Sequence, residues 1–510
     1  MPVKVAPEAS ANDADNASLT QQQQDTEVAV SDRIEYLTGR DNLFLIMEDK
    51  YHNMNVAGLY YFNKKISREE MRSQIGHFAD TFERCKQRIV RPPGVFARPY
   101  WVKHDEYDLD KHFLSVQLPS PGTEEQLMQV SGELCGEHMD FGLPLWRCYW
   151  FEGLDGGERS AILWIAHHAI ADGQGFVRTF LTYVASLDPT VDASKLQYSA
   201  GRNIAKPKTV SKVVESEKKP ATILSRIPSQ QAAFKYVQRQ VFTFMFLLYG
   251  IALYLANILI FLASRRKSYT RSKRTNKKQT AWTHSVSLED VKKVKNHFNV
   301  TVNDVLTACV GAALDGHLIR NNAPRDPNLW LMIPTSMRAV TDFSTSNKTS
   351  GYMLSIPNGP SVDLVKRVKS VSKNMRSGKS SPEAAFHYFP QEIFYRYPNA
   401  LPSFALGAAY KLHGVLTNVP GPAVPLKWGT HNIDAMVAFI PQAMPNSVSC
   451  AVYTYQGHVT LSVNMDLDEE EPGLFGPGAA LSITKEFETA FQEYVKMVDA
   501  SEAAKVKKDL

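Results

Sequence analysis

Between Val241 and Ala263 the chain runs without a single charged side chain, far enough to cross a bilayer. Positive charge is dense on both sides of the run. Lys212, Lys218, Lys219, Lys235 and Arg239 precede it, and Arg265, Arg266, Lys267, Arg271, Lys273, Arg274, Lys277 and Lys278 follow it. One crossing would put the two halves of the chain on opposite sides of a membrane. Basic flanks at both ends instead suit a cytosol-facing position for both. The run is therefore expected to re-enter the membrane or lie in its plane, bent near Gly250, with its flanks on anionic headgroups. A buried core helix is the alternative reading.

The apolar run sits inside a linker, residues 201–279, that is rich in Lys, Ser and Pro and carries the basic block 265–278. Residues 1–31 are polar and contain TQQQQD; they lack the apolar content to offset ordering entropy and are expected to be a disordered tail. Two mixed halves remain, residues 32–200 and 280–500. With 44% hydrophobic and 21% charged residues over 510 positions, the chain can bury substantial cores. A net charge of +5 gives no reason to expect nucleic acid as a partner, and the basic block abuts an apolar stretch rather than standing alone. Cys85, Cys135, Cys148, Cys309 and Cys450 are scattered and lack C-x-x-C spacing, which favours reduced thiols over disulfides or a zinc site. No basic start leads into an apolar core at the N-terminus, so no secretory signal is expected.

Both halves read as α/β with mixed sheets. Ser67 with Glu70 forms a capping-box pattern, and Met71, Ile75, Phe78 and Phe82 then share one helical face. Thr123 with Gln126 starts a second helix in the same way. LWRCYWFEGL and SAILWIAHH read as two strands joined by the turn DGGE, and GFVRTFLTYVASL follows as a helix. In the second half, TVNDVLTACVGAALDGHL is a helix with Thr301 as its cap, and NLWLMIP and GYMLSIP are strands. SCAVYTYQGHVTLSVNMD is a hairpin turning at Gln456-Gly457, and the last helix lies near ALSITKEFETAFQEYVKMV.

The chemistry is expected in WIAHHAIADGQG, where the SAILWIAHH strand runs out. An imidazole titrates near neutrality, so a positioned histidine can take a proton from an alcohol and return it to a leaving group. A lone histidine on an apolar strand is more often a satisfied core residue; two histidines, an aspartate and a glycine together point to a site. Adjacent histidines on a strand face opposite ways, so His167 and His168 are poorly placed to share a metal ion. One is expected to face the reaction and the other to pack or orient. Asp172 folds back to fix backbone or imidazole geometry, and Gly173 supplies φ freedom and an absence of bulk.

HHAIADG resembles the HH-x3-DG motif of the wax ester synthase/acyl-CoA:diacylglycerol acyltransferase family, a branch of the CoA-dependent acyltransferases. PLW at Pro144–Trp146, NDV at Asn303–Val305, PTSMR at Pro334–Arg338 and TNVPGP at Thr417–Pro422 resemble its other landmarks in order, over about residues 32–495. SNKTSG matches the family's G-N block only loosely, and no residue is assigned from it. The apolar run is longer than in many bacterial relatives. The resemblance implies a two-lobe acyltransferase fold with a membrane-associated insertion between the lobes. It implies transfer of a long-chain acyl group from acyl-CoA, as co-substrate, to a fatty alcohol or to diacylglycerol, with membrane lipid as a partner and no other cofactor or metal. His168 would be the general base, His167 a supporting residue, Asp172 mainly structural and Asn303 a stabiliser of the oxyanion; Asn303 and Asp304 read equally well as a helix start. In a eukaryote the location would be the endoplasmic reticulum or a lipid droplet. Another hydroxyl acceptor, or a catalytically silent lipid-binding or lipid-droplet protein, is the competing reading.

Overall fold

The computed structural model describes residues 35–187 and 266–509, apart from 270–274, 340–341, 343, 398, 400–411, 423, 443–446 and 471–472, together with a few isolated positions between 238 and 259. In the first half the elements that position the site are helix α1 (Gly39–Met47), strand β1 (Asn55–Phe62), α2 (Arg68–Thr81), β2 (Phe113–Gln117), α3 (Glu124–Gly136), β3 (Trp146–Glu152), β4 (Ser160–His167) and α4 (Gly173–Leu187). In the second half they are β5 (Lys278–Trp282), α5 (Leu288–Phe298), α6 (Val302–Arg320), β6 (Asn328–Ser336), β7 (Thr349–Pro357), α7 (Leu364–Ser380), α8 (Glu383–Phe394), β8 (Gly414–Pro420), β9 (Ala435–Phe439), β10 (Val448–Tyr455), β11 (His458–Asp466) and α9 (Ala479–Asp509).

The first sheet has the order β9-β1-β4-β3-β2. All eight residues of β4 are buried, as a near-continuous apolar run covered on both faces requires. Trp146 on β3 and Trp164 on β4 stack with centroids 4.3 Å apart, and the Trp146 indole donates to the Cys85 carbonyl at 2.8 Å. Trp146 is thus a core residue. The edge strand β9 comes from the other half: Met436 pairs with Tyr60 and Val437 with Leu59 of β1. The second sheet has the order β7-β6-β8-β10-β11-β5, with α6 and α9 packed together beside it. Its β10–β11 hairpin turns at Gln456 and Gly457, both at positive φ (49° and 77°), the combination a tight two-residue hairpin turn needs.

The caps follow the sequence with one exception. Thr123 with Gln126 and Thr301 with Asp304 are reciprocal capping boxes. Ser67 accepts from the Glu70 amide, but the return bond is missing because the Glu70 carboxylate is engaged by His431 Nε2 at 2.7 Å. The basic block is not uniformly solvated either. Lys278 is buried and paired with Asp466 at 2.5 Å, and the Arg266 guanidinium reaches the Leu412 carbonyl. Asp326 accepts from the backbone amides of Lys267 and Ser268, and the buried Tyr269 hydroxyl donates to the Leu314 carbonyl at 2.9 Å. The chain is therefore anchored to the second lobe directly after the apolar run. Most of that run, like the tail 1–31 and the segment 201–237, lies outside the described residues. Its described members Val241, Met245, Leu248, Ala252 and Leu259 are helical and exposed. Among the described residues no helix is long and apolar enough to cross a membrane.

Candidate active site

Strand β4 ends at His167, and the chain turns at once: the Ile170 amide donates to the His167 carbonyl at 3.0 Å. The turn leads into α4, which Asp172 caps by accepting the Gly175 amide on Oδ1 at 2.7 Å. Gly173 is the first residue of that helix and has no positive φ, so the expected conformational freedom is not used. A β-carbon there would lie 3.5 Å from Val419 Cγ2, an ordinary contact. The tighter position is Gly175, whose added β-carbon would meet Ala171, Asp172 and Arg338 at 3.1–3.4 Å, so those neighbours would have to give by a few tenths of an ångström.

The two histidines carry opposite tautomers. His167 is wholly buried; its Nδ1 accepts the Ala169 amide at 3.0 Å, so its proton must sit on Nε2, which donates to Glu48 Oε2 at 2.6 Å. His168 is partly exposed at the seam between the lobes and stacks on Phe44, centroids 3.7 Å apart. Its Nδ1 lies 3.1 Å from Asn347 Oδ1. The Asn347 amide orientation is fixed by its other bonds. Nδ2 donates to Asp41 Oδ1 at 2.8 Å and to the His168 carbonyl at 2.8 Å, and both of those can only accept. Oδ1 therefore faces the imidazole, the proton is on Nδ1, and the Nε2 lone pair is left to act as a base. Burial pulls the His168 imidazolium down to about 4, with the neighbouring Asp172 carboxylate opposing, so the ring is neutral at physiological pH.

The seam is held by ionic contacts around this ring. Asp172 Oδ2 accepts from Arg338 Nη2 at 3.1 Å, a fully enclosed pair, and from the amide of the half-buried Lys348 at 2.7 Å. Arg338 also donates to the carbonyls of Ser344 and Ser346, which shapes the loop carrying Asn347. From the first lobe, Asp41 of α1 accepts the Asn347 amide at 3.0 Å, and Arg40 reaches Gln391 and the Thr349 carbonyl. Each site element thus bridges the two halves.

Asn303 is placed differently from His168. Its Oδ1 accepts from Asn418 Nδ2 at 2.6 Å, joining the start of α6 to the TNVPGP block on β8. The helix-start role belongs to Asp304, which completes the capping box. The residues that the sequence did not reveal are Asn347, Asp41, Phe44 and Glu48. Asn347 lies in SNKTSG, so the loose match of that stretch to the family's G-N block was the available signal.

The wax ester synthase/diacylglycerol acyltransferase catalytic-domain profile matches residues 37–306, and the C-terminal domain of the same family matches residues 345–469. The chain belongs to the wax ester synthase/diacylglycerol acyltransferase family. Relatives of this family include the probable diacyglycerol O-acyltransferase tgs1 of Mycobacterium tuberculosis, 26% identical, covering 76% of this chain and 80% of that protein. The O-acyltransferase WSD of Acinetobacter baylyi is 25% identical over 78% of this chain and 84% of its own length. In fold, the chain is similar to the wax ester synthase/diacylglycerol acyltransferase from Marinobacter aquaeolei VT8, with a TM-score of 0.57 at 19% identity over 92% and 99% of the two chains. It is also similar to a starter condensation domain of rhizomide synthetase, at a TM-score of 0.53 and 11% identity over 93% and 96%. The two-lobe acyltransferase fold expected from the resemblance is the fold observed.

If Asn347 sets the tautomer, Asn347→Ala should lower kcat/KM for ester formation on the order of tenfold, the scale typical of a partner that orients a working imidazole. Substrate binding should change little. The check is steady-state kinetics beside a thermal midpoint, since the same residue also ties Asp41 to the turn.

Proposed function

We propose that this chain moves a long-chain acyl group from acyl-CoA to the hydroxyl of a fatty alcohol or of diacylglycerol, with His168 as the general base. The observation that carries this reading is the His168–Asn347 bond, which leaves Nε2 unprotonated at the lobe seam. Nε2 takes the hydroxyl proton as the oxygen attacks the thioester carbonyl. The tetrahedral oxyanion collapses, the C–S bond breaks, and the departing CoA sulfur takes the proton back from His168. Both substrates are held together, so no acyl-enzyme is required. Asn303 Nδ2 is the donor assigned to the oxyanion. His167 and Asp172 hold the turn and do not exchange protons with substrate. Support for the donor comes from the rhizomide synthetase condensation domain, solved in complex with C8-CoA. The test supplies purified protein with labelled palmitoyl-CoA, fatty alcohol and diacylglycerol together and separates the products. Labelled ester supports transfer; labelled free fatty acid alone would make the chain a hydrolase.

The acceptors and both ester products partition into lipid, and contact with a cytosol-facing membrane belongs to the same proposal; in a eukaryote the candidate locations are the endoplasmic reticulum and lipid droplets. The exposed helical residues Val241, Met245, Leu248 and Leu259 support insertion of that run. Deleting Val241–Ala263 should move the protein from the membrane pellet to the supernatant on ultracentrifugation. Continued sedimentation with membranes would place the anchor elsewhere.

A further inference from the structure

Helix α7 buries Val368, Val371 and Met375 against the second lobe and turns Lys369, Lys373 and Arg376 outward. Their spacing of four and then three residues stacks three cations on one face, where like charges repel. No described carboxylate pairs with them. On the adjacent α5, by contrast, Lys292 and Lys293 pair with Glu289 and Asp290. The three cations line a concavity of about 470 Å³, closed on its far side by the Phe298–Val300 connection between α5 and α6. The concavity is broad and open to solvent, so what marks it is its charge rather than enclosure. Ser377 and Ser380 also line it, the Ser380 hydroxyl donating to the Ser377 carbonyl at 3.0 Å, and Phe298 contributes a half-buried ring that packs edge-on against Tyr494. An unpaired cation row around a concavity with hydroxyls and one ring fits a ligand with several phosphates and a base.

The concavity is linked to the catalytic turn by short steps. Ser372 in its wall donates to Asp304 Oδ2 at 2.9 Å. The neighbouring Asn303 accepts from Asn418 at 2.6 Å, and Val419, one residue on, is the side chain that faces Gly173. A donor anchored on α7 thus lies beside the start of α6, which strand β8 connects to the HHAIADG turn through Asn418 and Val419.

We propose that this concavity holds the 3′-phosphate and pyrophosphate of the CoA part of the acyl donor, with Lys369, Lys373 and Arg376 as the phosphate-binding cations. The proposal rests on the acyl-CoA reading of the active site and adds to it the place where the nucleotide end is held. Phosphate is also carried by lipid headgroups, so the test separates the two sources.

The full-length protein and its Lys369→Glu/Lys373→Glu variant are titrated with CoA and with 3′-dephospho-CoA by calorimetry, and with phosphatidylserine vesicles by sedimentation. The wild type should bind CoA more tightly than 3′-dephospho-CoA. The variant should lose CoA affinity by at least about tenfold, the effect of removing and reversing charge-assisted phosphate contacts, and should no longer distinguish the two. Both positions are exposed, so an unchanged thermal midpoint verifies the fold. Equal CoA binding by wild type and variant overturns the proposal and leaves the acyltransferase reading standing. So does a variant that loses vesicle binding alone, which would assign the concavity to a lipid headgroup. A wild type that binds neither form of CoA and makes no ester overturns both readings.

Discussion

Replacing His168 by alanine should lower ester formation at least about a hundredfold, the usual contribution of a positioned general base. The argument is geometric first. Nδ1 is committed to Asn347, Phe44 covers one face of the ring, and the remaining nitrogen is the unprotonated one. His167→Ala makes the informative partner, since that ring is enclosed between Glu48 and the Ala169 amide. Its loss should show first as reduced stability of the turn. If His168→Ala kept near-normal turnover while His167→Ala abolished it in a folded protein, the roles would have to be exchanged. If His168→Ala left activity and lipid association both intact, the silent lipid-binding reading would gain.

Arg338→Met should destabilise the protein by about 3–5 kcal/mol, because it strands a buried carboxylate. Asp172 and Arg338 are both fully enclosed, and Asp172 also holds the α4 cap and the Lys348 amide. Removing the cation leaves that charge in the interior and frees the loop that carries Asn347. A urea or thermal unfolding curve measures the loss. Arg338→Met combined with Asp172→Asn should recover part of it, since the stranded charge is gone. A single variant as stable as the wild type would mean that the pair is not what locks the lobes.

Much of both lobes was legible because the signals are local. The apolar runs around Trp146 and Trp164, the reciprocal caps at Thr123 and Thr301, and the Gln456-Gly457 turn each depend on residues a few positions apart. The HH-x3-DG turn was legible for the same reason. What closes the site was not. Asp41, His168 and Asn347 are brought together across the seam from widely separated parts of the chain, and no periodicity encodes that meeting. The donated strand Ala435–Phe439 is hidden in the same way, since a short apolar stretch does not announce which lobe it will join. The φ freedom expected of Gly173 is not used, because Asp172 here caps a helix and the glycine simply begins it. Glu70 shows a local signal overridden by a tertiary partner: the capping-box sequence is present, but His431 takes the carboxylate.

The most direct test of the central claim, that a neutral His168 takes the proton from the acceptor hydroxyl, is the pH dependence of kcat/KM for ester formation. Because burial lowers the ring to about 4, the base is already unprotonated through the neutral range. The rate should be level there and fall only as pH drops toward that value, where His168 becomes protonated and loses its lone pair. An acid limb at or above about 6.5, the ordinary imidazole value, would contradict the account by showing that the working base is not this Asn347-bound ring.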